Sequence, residues 1–158
     1  MYDVMDVARF IVNYSIQIVR PVSNLKLQKL LYFIQVAFIS NYGISCFKEP
    51  IVHWRHGPVV ESVYQKYKTY GAENITEFES VYFQIRFDIQ TMSFMTDQCF
   101  YDENIFKPSH LLLMKAVVES YKDKSPWDMV ELTHKEAAWR NTNRNEEITV
   151  DMIKRYYS

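Results

Sequence analysis

Glycine is scarce: three residues in a chain of 158. Gly43, Gly57 and Gly71 stand far apart, so neither GxGxxG nor a P-loop can be written, and phosphate binding by those motifs is excluded. Proline is also sparse, at five residues. Long linkers and low-complexity disorder need more of both. Cysteine is limited to Cys46 and Cys99, with no CxxC pair and no disulfide framework to read. Two isolated thiols beside acidic and aromatic neighbours predict buried, inert side chains in a reducing compartment.

No sign of charge dominates. Lys and Arg total 18 against 19 Asp and Glu, for a formal net charge of -1. No global basic field draws the chain to nucleic acid, and strong nucleic-acid binding is not expected. A bilayer span is missing as well. The longest apolar run, Leu30–Ile39, is interrupted by Gln35 and reaches about half of the roughly 20 residues required. Asp3 and Asp6 occupy the place of a positively charged leader region. The expectation is a cytoplasmic protein without membrane contact.

What the chain does contain is a sound core: 48% hydrophobic residues, with 12 Tyr and 10 Phe. The length fits one domain, residues 1–158. Val4, Val7, Ala8, Ile11 and Ile18 recur at helical spacing behind a capping Asp3. This first helix is predicted to run to about Val19, before Arg20-Pro21. Ser23 caps a second helix carrying Leu27, Leu30, Leu31, Ile34 and Phe38, with apolar residues almost all round. Such a helix is central and covered by neighbours. Gly43 is placed to end it in a left-handed conformation.

Glu49–Trp54 reads as a short strand. Gly57-Pro58 then predicts the start of a third helix, with Pro58 at its first position and Val60, Val63, Tyr64, Tyr67 and Tyr70 on its apolar face. In "VYFQIRFDIQ" the period changes: Phe83, Ile85, Phe87 and Ile89 alternate with polar residues, predicting a half-buried strand. "TMSFM" either extends it or pairs with it, since no Asn-Gly or Asp-Gly turn marks a hairpin. The last third is helical. Ser109 is read as the cap of one helix, Ser125-Pro126-Trp127-Asp128 as a capping box, Thr133-His134-Lys135-Glu136 as a second box, and Thr149 as the last cap. The fold class is mainly α (α+β): about six helices, with a small antiparallel β element from residues 49–54 and 81–100.

Candidate chemistry is thin. His53 and His56 could bind a metal, or serve a small hydrolase with a carboxylate such as Glu61. Yet a strand precedes them, a Gly-Pro follows, and no third ligand stands in a paired spacing. Structural histidines are the simpler reading, with no metal, cofactor or catalytic residue assigned. The predicted helix start beside Arg55 and His56 could hold an anion, as any helix start can. Tyr64, Tyr67 and Tyr70 read as core or, since Tyr, Trp and Arg favour interfaces, as a protein-binding surface.

"DVARFIVNY", "SNLKLQKLLYFIQVAFISNYG", "FKEPIVHWRHGPVVESVYQKYKTYG" and "LTHKEAAW" resemble, in order and spacing, the Panacea antitoxin domain, which is related to phage-associated GepA-type and SocA-type proteins. The run "LKLQKLLYF" followed by the Gly-Pro-Val-Val segment is its most specific part. The resemblance implies a largely helical antitoxin of a toxin–antitoxin system. Such a protein neutralises a toxin encoded beside it by direct contact, without catalysis. An alternative within the family is an adaptor that delivers the toxin to a protease. His56 stands where the family commonly has an aromatic, and Ala138 where it often has proline. Residues 76–107 match nothing in the family pattern and are the first expectation for a partner-specific surface. Around the Gly-Pro, the residues proposed for partner contact are Trp54, Arg55, His56, Gly57, Pro58, Tyr64 and Tyr67. The oligomeric state is left open.

Overall fold

A computed structural model describes residues 1–157. Helices α1 (Val4–Gln17) and α2 (Asn24–Tyr42) come first, followed by a hairpin of β1 (Val52–Trp54) and β2 (Gly57–Val59). Then come α3 (Glu61–Tyr67), a second ribbon of β3 (Val81–Asp88) and β4 (Ser93–Phe100), and α4 (Pro108–Ser120). The chain closes with α5 (Pro126–His134), α6 (Ala137–Arg140) and α7 (Val150–Tyr157). The class is mainly α with two small antiparallel strand pairs. Residues 49–54 and 81–100 do not share a sheet, because β1 pairs with β2 and β3 with β4.

The central element is α2. Ser23 accepts a hydrogen bond from the Lys26 N–H, and Gly43 closes the helix at φ 69°. It packs against α1, α3, α4, α5, α7 and β2. Burial on every side forces its polar residues inward too, and each is spent on a backbone group of a connecting segment. Lys26 Nζ donates to the carbonyls of Tyr121, Lys122 and Lys124 just beyond α4. Gln35 Nε2 donates to the Phe47 carbonyl at 3.0 Å, and its Oε1 accepts from the Cys46 N–H at 2.7 Å. Gln28 Oε1 accepts from the Val60 N–H at 2.9 Å, and Asn24 Nδ2 donates to the Tyr64 carbonyl at 3.1 Å. The central helix therefore fixes the loops as well as the core. Gln35→Leu should keep the shape and strand those buried partners, costing about 2–4 kcal/mol in chemical denaturation.

Several sequence expectations shift. Helix α1 stops at Gln17, and Val19 turns the chain at φ 58°. Pro58 does not start a helix: it lies in β2 opposite His53, and α3 begins only at Glu61. Proline's fixed φ suits an extended strand as well as a helix start. Here Lys29 and Gln28 of α2 hold the 58–60 backbone extended through the Pro58 carbonyl and the Val60 N–H. Ser109 lies inside the first turn of α4, whose N-cap is Lys107 with Pro108 behind it. The Ser125 capping box forms as expected. The second box does not, since Thr133 is buried in α5 with its hydroxyl donating back to the Val130 carbonyl.

The β3–β4 ribbon is the larger departure. Its strands pair from Val81↔Phe100 to Asp88↔Ser93. The turn is built without glycine: the Gln90 N–H donates to the Asp88 carboxylate, and Met92 takes φ 52°. The expected half-burial of Phe83, Ile85, Phe87 and Ile89 is overturned. Phe83 is 66% exposed and Ile85 75%. The body meets the opposite face, where the Arg9 guanidinium sits 3.4 Å from the centre of the Tyr82 ring. Asn13 anchors the approach by exchanging hydrogen bonds with the Glu79 backbone.

Candidate partner-binding surfaces

The β1–β2 hairpin turns through two residues, Arg55 and His56, and its outer edge pairs with the chain near Glu146. Gly57 is demanded twice. Its φ is 108°, and a Cβ there would lie 2.6 Å from Thr133 Oγ1 and 2.9 Å from Lys29 Cε. The hairpin thus lies directly on α2 and α5.

This close seating produces a recess of about 280 Å³. Four of the residues expected to meet a partner line it: Trp54, Arg55, His56 and Tyr64. Trp54 and Tyr64 meet edge to face with centroids 5.0 Å apart. The other three expected contacts are turned inward. Gly57 and Pro58 are buried in the joint, and Tyr67 is a core residue at 1% exposure. Gly57 and Pro58 build the hairpin itself, and Tyr67 packs in the core beneath α3.

Beneath the recess lies Lys29, which sequence reasoning passed over. Its side chain is wholly buried, and Nζ donates to the Pro58 carbonyl at 3.0 Å. Burial alone brings its ammonium down to about 7. A lysine inside a helix that is apolar almost all round was the available signal, because such a position leaves no solvent face for it.

The two hairpin histidines go separate ways. His53 stacks on the Trp139 indole at 4.1 Å, and His134 stacks on the same indole at 4.3 Å. His56 instead meets Trp127 edge-on. His56 lines this recess, whereas Glu61 lines a separate one beside Val52 and Val60. Among the described residues, no three His, Cys, Asp or Glu side chains gather into a metal-binding group. Burial is the main cause lowering His134, with the Arg55 backbone opposing it less strongly. A base held below its free value binds its proton in the unfolded chain first. His134 should therefore weaken the fold as pH falls below about 6.5. Denaturation at pH 7.5 and 5.5 should show a smaller loss in His134→Gln than in the parent.

The second surface is the ribbon. Its register places Val81, Phe83, Ile85 and Phe87 across from Phe100, Gln98, Thr96 and Phe94 on one face. Phe94 is 76% exposed and Phe100 69%, and Ile89 and Met92 extend the apolar surface to the tip. At exposures of 40% to 77%, and with about 150–250 Å² for a large aromatic and somewhat less for the aliphatic side chains, the eight apolar residues present on the order of 900 Å². A solvated monomer rarely exposes so much contiguous apolar surface. No helix among the described residues is long and apolar enough to cross a membrane.

The family described as antitoxin SocA-like, Panacea domain, matches residues 27–140. That span runs from α2 through the hairpin and the ribbon to the end of α6. No curated protein and no solved structure gives a match.

Proposed function

Because this chain belongs to the SocA-like Panacea-domain antitoxin family, we propose that it neutralises one cognate toxin protein by binding it directly, without catalysing a reaction. The observation that carries the reading is the bare apolar face of the β3–β4 ribbon. A two-stranded ribbon is marginal by itself, and this one meets the body at Tyr82, near its base. The apolar surface it presents outward is comparable to the roughly 800 Å² per partner of a standard interface. Its partner is a protein with a complementary apolar surface, and the toxin encoded beside this chain is the candidate.

The cavity residues Trp54, Arg55, His56 and Tyr64 stand as a second proposed contact. Trp54, Arg55 and His56 are displayed on the β1–β2 hairpin and Tyr64 on α3, ordered elements that suit recognition. Co-expression with the neighbouring open reading frame tests the reading. The neighbour alone should arrest growth, and this chain should restore it in strains lacking individual cytoplasmic proteases. Rescue that fails in one protease deletion would favour delivery to that protease over occlusion. A harmless neighbour, or toxicity that this chain leaves untouched, would remove the proposal.

A further inference from the structure

The recess behind the β1–β2 turn carries an imbalance that the ribbon does not use. Lys29, Arg55, His56 and Lys68 line it, and no carboxylate does. The chain as a whole has slightly more acids than bases, so this separation of charge is local. Among the described residues, the side chains of Arg55 and Lys68 enter none of the ion pairs. Lys29 has a single hydrogen bond, to a carbonyl, for three ammonium protons. A buried cation with no counter-charge costs stability, and the arrival of an anion relieves that cost.

The other walls combine aromatic and apolar side chains with the amides of Asn24 and Gln28. Trp54 and Tyr64 meet edge to face there, and Val59 is buried behind them. The volume of about 280 Å³ sits at the lower end of small-molecule pockets, which span about 300–1,000 Å³. A lone carboxylate would answer one of the three cations. A phosphate monoester carries about −1.5 to −2 at pH 7 and offers three strong acceptor oxygens.

We propose that this recess binds a phosphate monoester carried on a flat ring, of nucleoside monophosphate size. The ring stacks on the Trp54 indole with Tyr64 at its edge, and the phosphate turns toward Arg55 and Lys68, above the buried Lys29. The site shares no residue with the ribbon, although Trp54, Arg55, His56 and Tyr64 also form the second proposed toxin contact; AMP binding is read on the chain alone, so its failure leaves the ribbon reading standing.

Calorimetric titration of the purified chain with AMP, adenosine and inorganic phosphate tests it, with the thermal midpoint followed in parallel. AMP should bind saturably and raise Tm. Adenosine and phosphate, each offering half of the ligand, should bind at least about tenfold more weakly. Lys29→Met and Arg55→Ala should each weaken AMP by about tenfold or more while the far-ultraviolet dichroism stays unchanged. Arg144→Ala, outside the recess, should bind AMP like the parent. Absence of saturable AMP binding overturns the proposal. So does adenosine binding as tightly as AMP, or AMP binding that both recess variants retain.

Discussion

Ile85→Asp combined with Phe94→Asp is expected to abolish neutralisation while leaving the fold in place. Both side chains stand about three-quarters exposed on the outer face of the ribbon. Neither belongs to the core cluster, which runs from Val4 to Ile153 without touching β3 or β4. Surface changes of this kind usually alter stability by less than about 0.5 kcal/mol. An apolar interface responds differently. Two carboxylates forced against a dry partner surface each forfeit a contact worth about 2 kcal/mol or more, so toxin affinity should fall by about 1,000-fold. Gln84→Ala, on the opposite face, supplies the control and should neutralise like the parent. Growth rescue, measured beside helical dichroism and Tm, separates lost contact from lost fold.

The second large effect runs against intuition: Lys29→Met should make the protein more stable at neutral pH. The lysine is wholly buried, and burial is the one cause that brings it from 10.5 to about 7. Above 10.5 the amine is neutral in both the folded and the unfolded chain. As pH falls toward 7, the unfolded chain takes up a proton that the folded chain refuses, and stability is lost across that window. Below about 7 both forms are charged and the loss stays constant. The full window corresponds to about 5 kcal/mol, of which roughly 4 is already lost at pH 7. Methionine removes it and leaves the Pro58 carbonyl without its donor, which returns about 1–3 kcal/mol. A net gain of about 2 kcal/mol is expected at pH 7. Urea denaturation of both proteins at pH 7 and at pH 10 checks it, and the difference between them should move against methionine at the higher pH. The buried tyrosines and Cys46, which burial pushes upward, weaken both proteins alike at high pH and cancel in the comparison.

The helical frame was legible because its signals are local. Asp3, Ser23, Ser125 and Thr149 each accept the capping hydrogen bond expected of them, and Gly43 takes the left-handed φ. These need only a few neighbouring residues. What failed needed distant ones. Pro58 suits a strand as well as a helix start, and α2, about 30 residues earlier in the chain, selected the strand. Thr133 has the spacing of a box, but the run of α5 carries it into the core, where its hydroxyl turns back on its own helix.

Alternation in "VYFQIRFDIQ" gave β3 correctly and its orientation wrongly. Period-2 patterning states that one face is apolar. It does not state that this chain supplies the cover. The seat of the ribbon is fixed by Arg9 on Tyr82 and Asn13 on the Glu79 backbone, and those contacts are invisible in the strand itself. The β4 strand stayed ambiguous because its turn uses Asp88 and a left-handed Met92 in place of Asn-Gly. At the recess, Trp54, Arg55, His56 and Tyr64 were drawn from one short stretch and do come together. Lys29 is absent from that set, because nothing local in the leucine stripe marks which of its polar residues reaches the hairpin. A helix covered on all sides has no polar face, so its lysines and glutamines must be buried and engaged.

Hydrogen–deuterium exchange of the purified chain, with and without its toxin, tests the central claim most directly. Free, the two-stranded ribbon should exchange far faster than α2, because pairing in an isolated hairpin is only marginally stable. Bound, amides of residues 81–100 should slow by at least about tenfold, which corresponds to about 1.4 kcal/mol of added protection, while α2 stays as it was. Protection confined to other surfaces, with 81–100 exchanging as freely as before, would contradict the ribbon as the toxin-binding face.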